Sequence, residues 1–365
     1  MFIPALTDSK MMMFYIWGQV HNYILNDLWG GKSMLVKEKI KVGHHILKNR
    51  MVKAPIHSET CVNGKVTDAT AQHYEERTKG GRFGLVVVEH SYVRNDGMAS
   101  STQLSSSRDS DIDGLKRLAD IIHNNGSTAI LQLSHAGCGS SRTFTGEESV
   151  SASNISVTCG WPNAKPNPEK PRPLTVNEIH DLEQYYFRAA QRAMKAGYDG
   201  IDLHSAHAYL LDQFFSPLTN KRTDEYNGFT LEGRIKIHLE LIRGIREIIG
   251  EESILALRLG GCDYKTGGTT IEDAVEACKR FEAAGVDLLD ISGGLCCFTR
   301  QGHNYPGYFG DISEAVKKAV NIPVLLTGGV KTVADAEQLL EEGKADMIGV
   351  GRIITARADW GKELI

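Results

Sequence analysis

The sequence predicts an α/β protein built as one (β/α)8 barrel, and two observations carry that reading. Eight short, continuously apolar runs stand at 51–56, 85–89, 129–133, 200–203, 254–259, 288–291, 323–326 and 346–350. Parallel strands covered on both faces require such runs, whereas half-solvated antiparallel strands alternate with a period of two. Segments of helical period separate the runs, so strand and helix follow one another in series with no sheet-only or helix-only block. That order argues for a closed barrel.

The helical segments can be justified in turn. Ile112, Leu115, Leu118, Ala119 and Ile122 fall on one face, as do Ile235, Leu239, Ile242 and Ile249. Ile271, Ala274, Val275, Cys278 and Phe281 repeat the spacing of three and four that places side chains on one helix stripe. Thr175 with Glu178, and Thr270 with Asp273, have the capping-box spacing of a helix start. Gly126, Gly197, Gly250, Gly285 and Gly343 each follow a helical segment and supply the left-handed residue that ends one. An open doubly wound sheet is the competing architecture. It favours a glycine fingerprint after the first strand, and Lys53-Ala54-Pro55-Ile56-His57 contains no glycine.

One irregular excursion, 137–172, follows the third run and is rich in Ser, Pro, Asn and Gly. Loops of that length are commonly functional, and here it belongs to the face where barrels carry their active sites. Residues 34–365 are assigned to the barrel, and residues 1–33, unlike the rest in character, to an N-terminal extension without an assigned role.

Composition narrows the function classes. The chain has 365 residues, 41% hydrophobic and 24% charged, with a net charge of −4 and no basic stripe for nucleic acid. No apolar run reaches the roughly 18 residues of a membrane span. The apolar stretch 11–17 follows Lys10 but precedes no small-x-small cleavage site, so no secretion signal is expected. The seven cysteines form no C-x-x-C pair and no secreted-type framework. A small-molecule enzyme of the reducing cytosol is expected, with self-association left open.

Three constellations carry chemistry. The seventh and eighth runs lead into Thr327-Gly328-Gly329 and Gly349-Val350-Gly351-Arg352. Barrels often bind phosphate there, through glycine backbone N–H groups, and Arg352 could add a charge-assisted contact. The alternative is a pair of tight turns with no ligand. At the end of the fourth run stands Asp202-Leu203-His204-Ser205-Ala206-His207-Ala208-Tyr209. Two imidazoles there can polarise a substrate oxygen, and a phenol can protonate a neighbouring carbon. A structural role for the histidines is the plainer alternative. A metal site needs a third ligand, and no His or Cys has the spacing to supply it, so no metal is assigned. Finally, Gln132 and Arg258 interrupt apolar strands. A buried guanidinium needs a partner, and spacing alone leaves open an anionic ligand or an internal pair with Asp202, Glu89 or Asp290.

Several stretches resemble the Old Yellow Enzyme family of FMN-dependent reductases. They are Leu47-Lys48-Asn49-Arg50 with Met51-Val52-Lys53-Ala54-Pro55, then Leu131-Gln132-Leu133-Ser134-His135-Ala136-Gly137. The most specific stretch spans 197–217 and continues as Asn220-Lys221-Arg222-Thr223-Asp224-Glu225-Tyr226-Asn227-Gly228. The resemblance implies FMN over the C-terminal mouth of the barrel. Ala54, Pro55 and Ile56 would touch the flavin through backbone, Gln132 its pyrimidine edge, and Arg258 its N1/O2 edge. Gly328, Gly329, Gly351 and Arg352 would hold its phosphate. His204 and His207 match the pair that grips a substrate carbonyl, and Tyr209 matches the proton donor. NADH or NADPH would pass hydride to FMN, and flavin N5 would reduce an activated C=C bond in a ping-pong cycle.

The chain departs from the family pattern on the substrate side of the flavin. His57 stands where Thr or Cys is common, at the flavin O4 edge, and His90 where a small residue is usual. Glu59 takes the place of a substrate-contacting Tyr, and Cys138 that of a frequent Arg. Two other function classes remain as alternatives: a phosphate-binding barrel lyase or isomerase using His204 and His207 as acid and base, and a flavin-binding protein without turnover.

Overall fold

The computed structural model describes residues 33–160 and 165–364, so the N-terminal extension assigned to 1–33 lies, but for Ser33, outside the described residues. The barrel is closed and entirely parallel. Its strands are β1 (Met51–Lys53), β2 (Leu85–Tyr92), β3 (Thr128–Ser134), β4 (Gly200–Ser205), β5 (Ile254–Gly260), β6 (Leu288–Ser292), β7 (Val324–Thr327) and β8 (Met347–Val350), with β8 pairing back onto β1. The helices that follow them in turn are α1 (Asp68–Thr78), α2 (Ile112–Asn124), α3 (Val176–Lys195), α4 (Leu231–Ile249), α5 (Ile271–Ala283), α6 (Gly310–Lys317), α7 (Val333–Glu341) and α8 (Arg352–Ala356).

The local signals act as expected. Thr175 and Thr270 each accept from the third residue of the helix they open, and that residue's side chain answers, closing both capping boxes. Thr67 and Thr332 do the same at α1 and α7, which periodicity did not reveal. Gly126, Gly197, Gly250, Gly285 and Gly343 all have positive φ, as a helix-ending glycine should. The first strand is shorter than its apolar run, ending at Lys53. Pro55 has no N–H to continue the ladder, so 54–56 leave β1 as loop. The second strand runs three residues beyond the expected Glu89, to Tyr92.

The core has two layers. Val52, Leu85, Val87, Ile130, Ile254, Ala256, Leu288, Leu325 and Met347 pack together inside the N-terminal half of the barrel. Val42 and Leu47, from the hairpin Ile40–Val42 and His45–Leu47, join them and plug that end. A larger shell of Leu, Ile, Val and aromatic side chains packs the helices onto the strands. Burying each such side chain contributes roughly 1.5–3 kcal/mol. Towards the C-terminal end the interior turns polar, with Gln132, Asp202, His204, Arg258 and Asp290 all buried. A fold stabilised at its base can carry these costly groups at its mouth.

Candidate active site

Strand register sets the first contacts. In the ladders, Gln132 lies beside Asp202, His204 beside Arg258, and Arg258 beside Asp290. Gln132 donates its amide to Asp202 at 2.8 Å, and Thr327 donates its hydroxyl to Asp290 at 3.1 Å. Arg258 and Asp290 form an ion pair at 3.4 Å, which answers one half of the question its position raised. The paired atoms, Arg258 Nε and Asp290 Oδ2, nevertheless make no hydrogen bond. Asp202 Oδ1 and His204 Nδ1 are likewise buried without a partner. Burial, then the neighbouring Asp290, pushes the Asp202 carboxyl up to about 8.

Beyond β4 the chain turns sharply. His207 and Ala208 have φ of 61° and 62°, a left-handed pair that non-glycine residues adopt only when held. The holding groups are visible. His207 N–H donates to Gly293 O at 3.1 Å, and Ala208 N–H to Asp212 Oδ2 at 2.7 Å. The turn brings the three candidate residues together: the His204 ring centroid lies 5.1 Å from that of His207 and 5.1 Å from that of Tyr209. Nε2 of His207 meets Ser292 Oγ at 2.8 Å, from the end of β6. Burial, then neighbouring positive groups, holds both imidazoles well below their usual range, so they are neutral at physiological pH. Burial raises the Tyr209 phenol, which therefore keeps its proton.

Two further histidines complete this wall. His90 packs 5.7 Å from Tyr209 and 6.4 Å from His204, and His57 5.4 Å from His90. Burial lowers His90 to about 3. His57 Nε2 lies 3.4 Å from the hydroxyls of both Ser100 and Thr102. Glu59 is exposed and left-handed, at φ 58°. Cys138, by contrast, is buried.

The glycine turns form a second locus. Gly328 is buried, and a Cβ on Gly329 would meet Tyr305 O at 2.6 Å and the Tyr308 ring at 2.8 Å. A Cβ on Gly351 would meet Ile56 at 3.2 Å, which joins the loop after β1 to the start of α8. Ala54 N–H donates to Val350 O at 3.0 Å in the same corner, with Pro55 and Ile56 half-buried beyond it. Arg352 is exposed, donates to Tyr308 Oη at 2.9 Å and stacks on Phe298 at 5.7 Å. Phe298 in turn packs against His207 at 6.1 Å, so the two loci are adjacent.

Sequence reasoning missed Gln103, Gly160, Ser292, Phe298 and Tyr308. None belongs to a motif at a strand end of its own apart from Ser292, whose place as the last residue of β6 was the available signal. The excursion does reach this face: Gly160 N–H donates to His207 O at 2.9 Å, and a Cβ on Gly160 would lie 2.9 Å from the Tyr209 hydroxyl. Among the described residues no His, Cys, Asp and Glu cluster is fit for a metal ion, and no helix is long and apolar enough to cross a membrane.

Residues 38–364 match the NADH:flavin oxidoreductase / NADH oxidase family. The chain is 34% identical over 330 residues to an NADH oxidase of Thermoanaerobacter brockii, covering 88% of this chain and 49% of that protein. It is 34% identical over 319 residues to an NADPH dehydrogenase of Geobacillus sp. (strain WCH70), covering 86% and 88%. The chain thus spans about half the length of some curated relatives and most of another. Among solved structures, a 2-naphthoyl-CoA reductase in complex with 2-naphthoyl-CoA superposes with a TM-score of 0.83 at 30% identity, covering 90% of this chain and 52% of that one. An Old Yellow Enzyme homologue from Zymomonas mobilis gives 0.77 at 25% identity, covering 89% and 90%. The chain belongs to the NADH:flavin oxidoreductase / NADH oxidase family, the Old Yellow Enzyme family of FMN-dependent oxidoreductases.

Proposed function

We propose that this protein reduces an activated C=C bond, conjugated to a carbonyl, with electrons from NADH or NADPH carried through FMN in a ping-pong cycle. The observation that carries the reading is the convergence of two neutral imidazoles and a protonated phenol at the C-terminal mouth of the barrel, with the His207 and Tyr209 ring centroids each 5.1 Å from that of His204.

The residues present fit FMN. Arg258 Nε and Asp202 Oδ1 are buried polar atoms without hydrogen bonds in the polar layer at the mouth, which is what a flavin edge would satisfy. Gly328, Gly329, Gly351 and Arg352 make a narrow cradle that a Cβ would fill at Gly329, with a cation beside it. When bound there, FMN supplies two-electron transfer between the nicotinamide and the acceptor. Gln132 and Arg258 would hold its ring, Ala54, Pro55 and Ile56 would line it through backbone, and His57 and His90 would stand at its substrate-side edge.

The chain's own contribution follows from protonation. Neutral His204 and His207 each keep one ring N–H, and two such donors on one carbonyl oxygen polarise the conjugated double bond. Ser292 fixes the His207 ring through Nε2. Tyr209, protonated, hands its proton to the α-carbon. The 2-naphthoyl thioester of the solved relative is a carbonyl conjugated to C=C bonds, in keeping with this acceptor class. The seven thiols, all unbridged, support a cytosolic enzyme of small molecules.

An anaerobic experiment tests the reading. The FMN-loaded protein should bleach with NADH or NADPH and regain its colour with an enone. Tyr209→Phe should leave the bleaching intact and slow the recolouring by about 10²–10⁴-fold. A protein that takes up no FMN, or a Phe variant as fast as wild type, sinks the proposal. Proton exchange on a carbon acid without flavin would instead favour the lyase or isomerase alternative.

A further inference from the structure

Cys138 and Cys159 are 21 residues apart in the chain, yet their sulfurs lie 3.4 Å from each other. Each is held by different structure. Cys138 sits in the tight turn after β3, where its N–H donates to Gln213 Oε1 at 3.1 Å. The same oxygen accepts from Ser151 Oγ at 2.7 Å, so this side of the pair is anchored through Gln213, on the short helix Leu210–Phe215 after β4. Cys159 stands a little past the middle of the excursion and is half-buried, while Cys138 is fully buried. Its approach depends on Gly139, where a Cβ would lie 2.7 Å from the Cys159 Cβ. The sulfur of Cys159 is also 3.1 Å from Ala208 O, between His207 and Tyr209.

We propose that Cys138 and Cys159 form an oxidative modification site, a dithiol that a hydroperoxide closes into a disulfide tying the turn that opens the excursion to a residue farther along it. A disulfide needs the sulfurs at about 2.05 Å, an approach of about 1.3 Å that a loop residue can make. The hydrogen bond between the two sulfurs holds the Cys138 thiol below its usual range and the Cys159 thiol above it. Cys138 is therefore the nucleophile. Its thiolate attacks the distal oxygen of the hydroperoxide, breaking the O–O bond and releasing alkoxide, or hydroxide from hydrogen peroxide, and becomes a sulfenic acid. Cys159 sulfur then attacks Cys138 sulfur, its thiol proton leaves with the sulfenic oxygen as water, and the S–S bond forms. Two thiols are oxidised and one peroxide is reduced.

Closure would draw Cys159 away from Ala208 O and move the backbone of Gly160, where an added Cβ would lie 2.9 Å from the Tyr209 hydroxyl. The bond should consequently lower turnover. That consequence, unlike the bond itself, rests on the reading of Tyr209 as proton donor.

The test treats the FMN-loaded enzyme with hydrogen peroxide, maps its peptides by mass spectrometry and measures turnover before and after dithiothreitol. The expected product is two hydrogens lighter, carries a Cys138–Cys159 linked peptide, and has lost turnover that dithiothreitol restores. Cys138→Ser should abolish the linkage and leave Cys159 alkylatable, while Cys159→Ser should leave a Cys138 sulfenic acid that dimedone traps. Peroxide treatment that yields no 138–159 linkage, or an equal loss of mass in both Ser variants, overturns the proposal. Linkage with unchanged turnover upholds the site and counts against Tyr209. Reversible loss of turnover without linkage refutes the site and leaves Tyr209 standing.

Discussion

Gln103 donates its side-chain amide to Nδ1 of His90 at 2.6 Å, and the orientation of that amide is fixed independently. Its oxygen accepts from Ala99 N–H at 2.6 Å, and its nitrogen also donates to His90 O at 3.1 Å. Nδ1 is therefore the acceptor, and the neutral ring carries its hydrogen on Nε2. A donor is thus locked beside Tyr209 and His204. Gln103→Leu frees the tautomer, and kcat/KM should fall about tenfold, the equivalent of about 1.4 kcal/mol. The FMN-to-protein ratio should stay at the wild-type value. Unchanged kcat/KM with an enone would remove His90 from the substrate wall.

Gly160 has φ of 69° and no room for a Cβ, which would sit 2.9 Å from the Tyr209 hydroxyl. Gly160→Ala should therefore cost about 1–2 kcal/mol of stability from the left-handed backbone alone. The phenol must also shift. Stopped-flow measurement of the two half-reactions should show slower oxidation by the enone and unaltered reduction by the nicotinamide. Equal slowing of both would place Gly160 in a general role in folding rather than beside the proton donor.

The barrel was legible because its determinants are local. Continuous apolar runs, helix-ending glycines at 126, 197, 250, 285 and 343, and the Thr175 and Thr270 caps all act within a few residues. His204, His207 and Tyr209 were legible for the same reason, since one strand end and one turn place all three. Ser292, Phe298, Tyr308 and Gln103 were not. They reach the site from β6, the loop beyond it and the segment after β2, and only closure of the barrel sets those distances. Arg258 shows the limit most directly. Spacing left ligand and ion pair as alternatives, and the structure shows an ion pair with Asp290 whose Nε still makes no hydrogen bond.

Arg352 is the one cationic side chain that the phosphate reading assigns to the glycine cradle, and Tyr308 and Phe298 hold it in place. A hydrogen bond to a charged group contributes about 1.5–3 kcal/mol. Arg352→Gln should accordingly weaken FMN binding by about tenfold to a hundredfold, with the turnover of flavin-loaded chains nearly preserved. Fluorescence titration of apoprotein with FMN reads the first effect directly. An unaltered Kd would place the phosphate elsewhere.

Acid should destabilise the fold through its buried imidazoles. Burial holds His90 and His238 down to about 3, and His204 and His207 well below their usual range. In the unfolded chain a histidine titrates near about 6.5. Below that pH the unfolded state binds protons that the folded state refuses, so stability is lost as pH falls from about 6.5 towards 3. The slope is up to about 1.36 kcal/mol per pH unit for each histidine. His238 isolates one share of it, because it lies in the core against Ser205 Oγ at 2.7 Å and Phe281, outside the histidine wall. His238→Gln keeps a hydrogen-bonding partner for Ser205 and cannot be protonated. Between about pH 7 and pH 5 its urea-unfolding free energy should drop by about 2 kcal/mol less than wild type does. Parallel acid limbs for the two proteins would mean that His238 already carries its proton in the folded state.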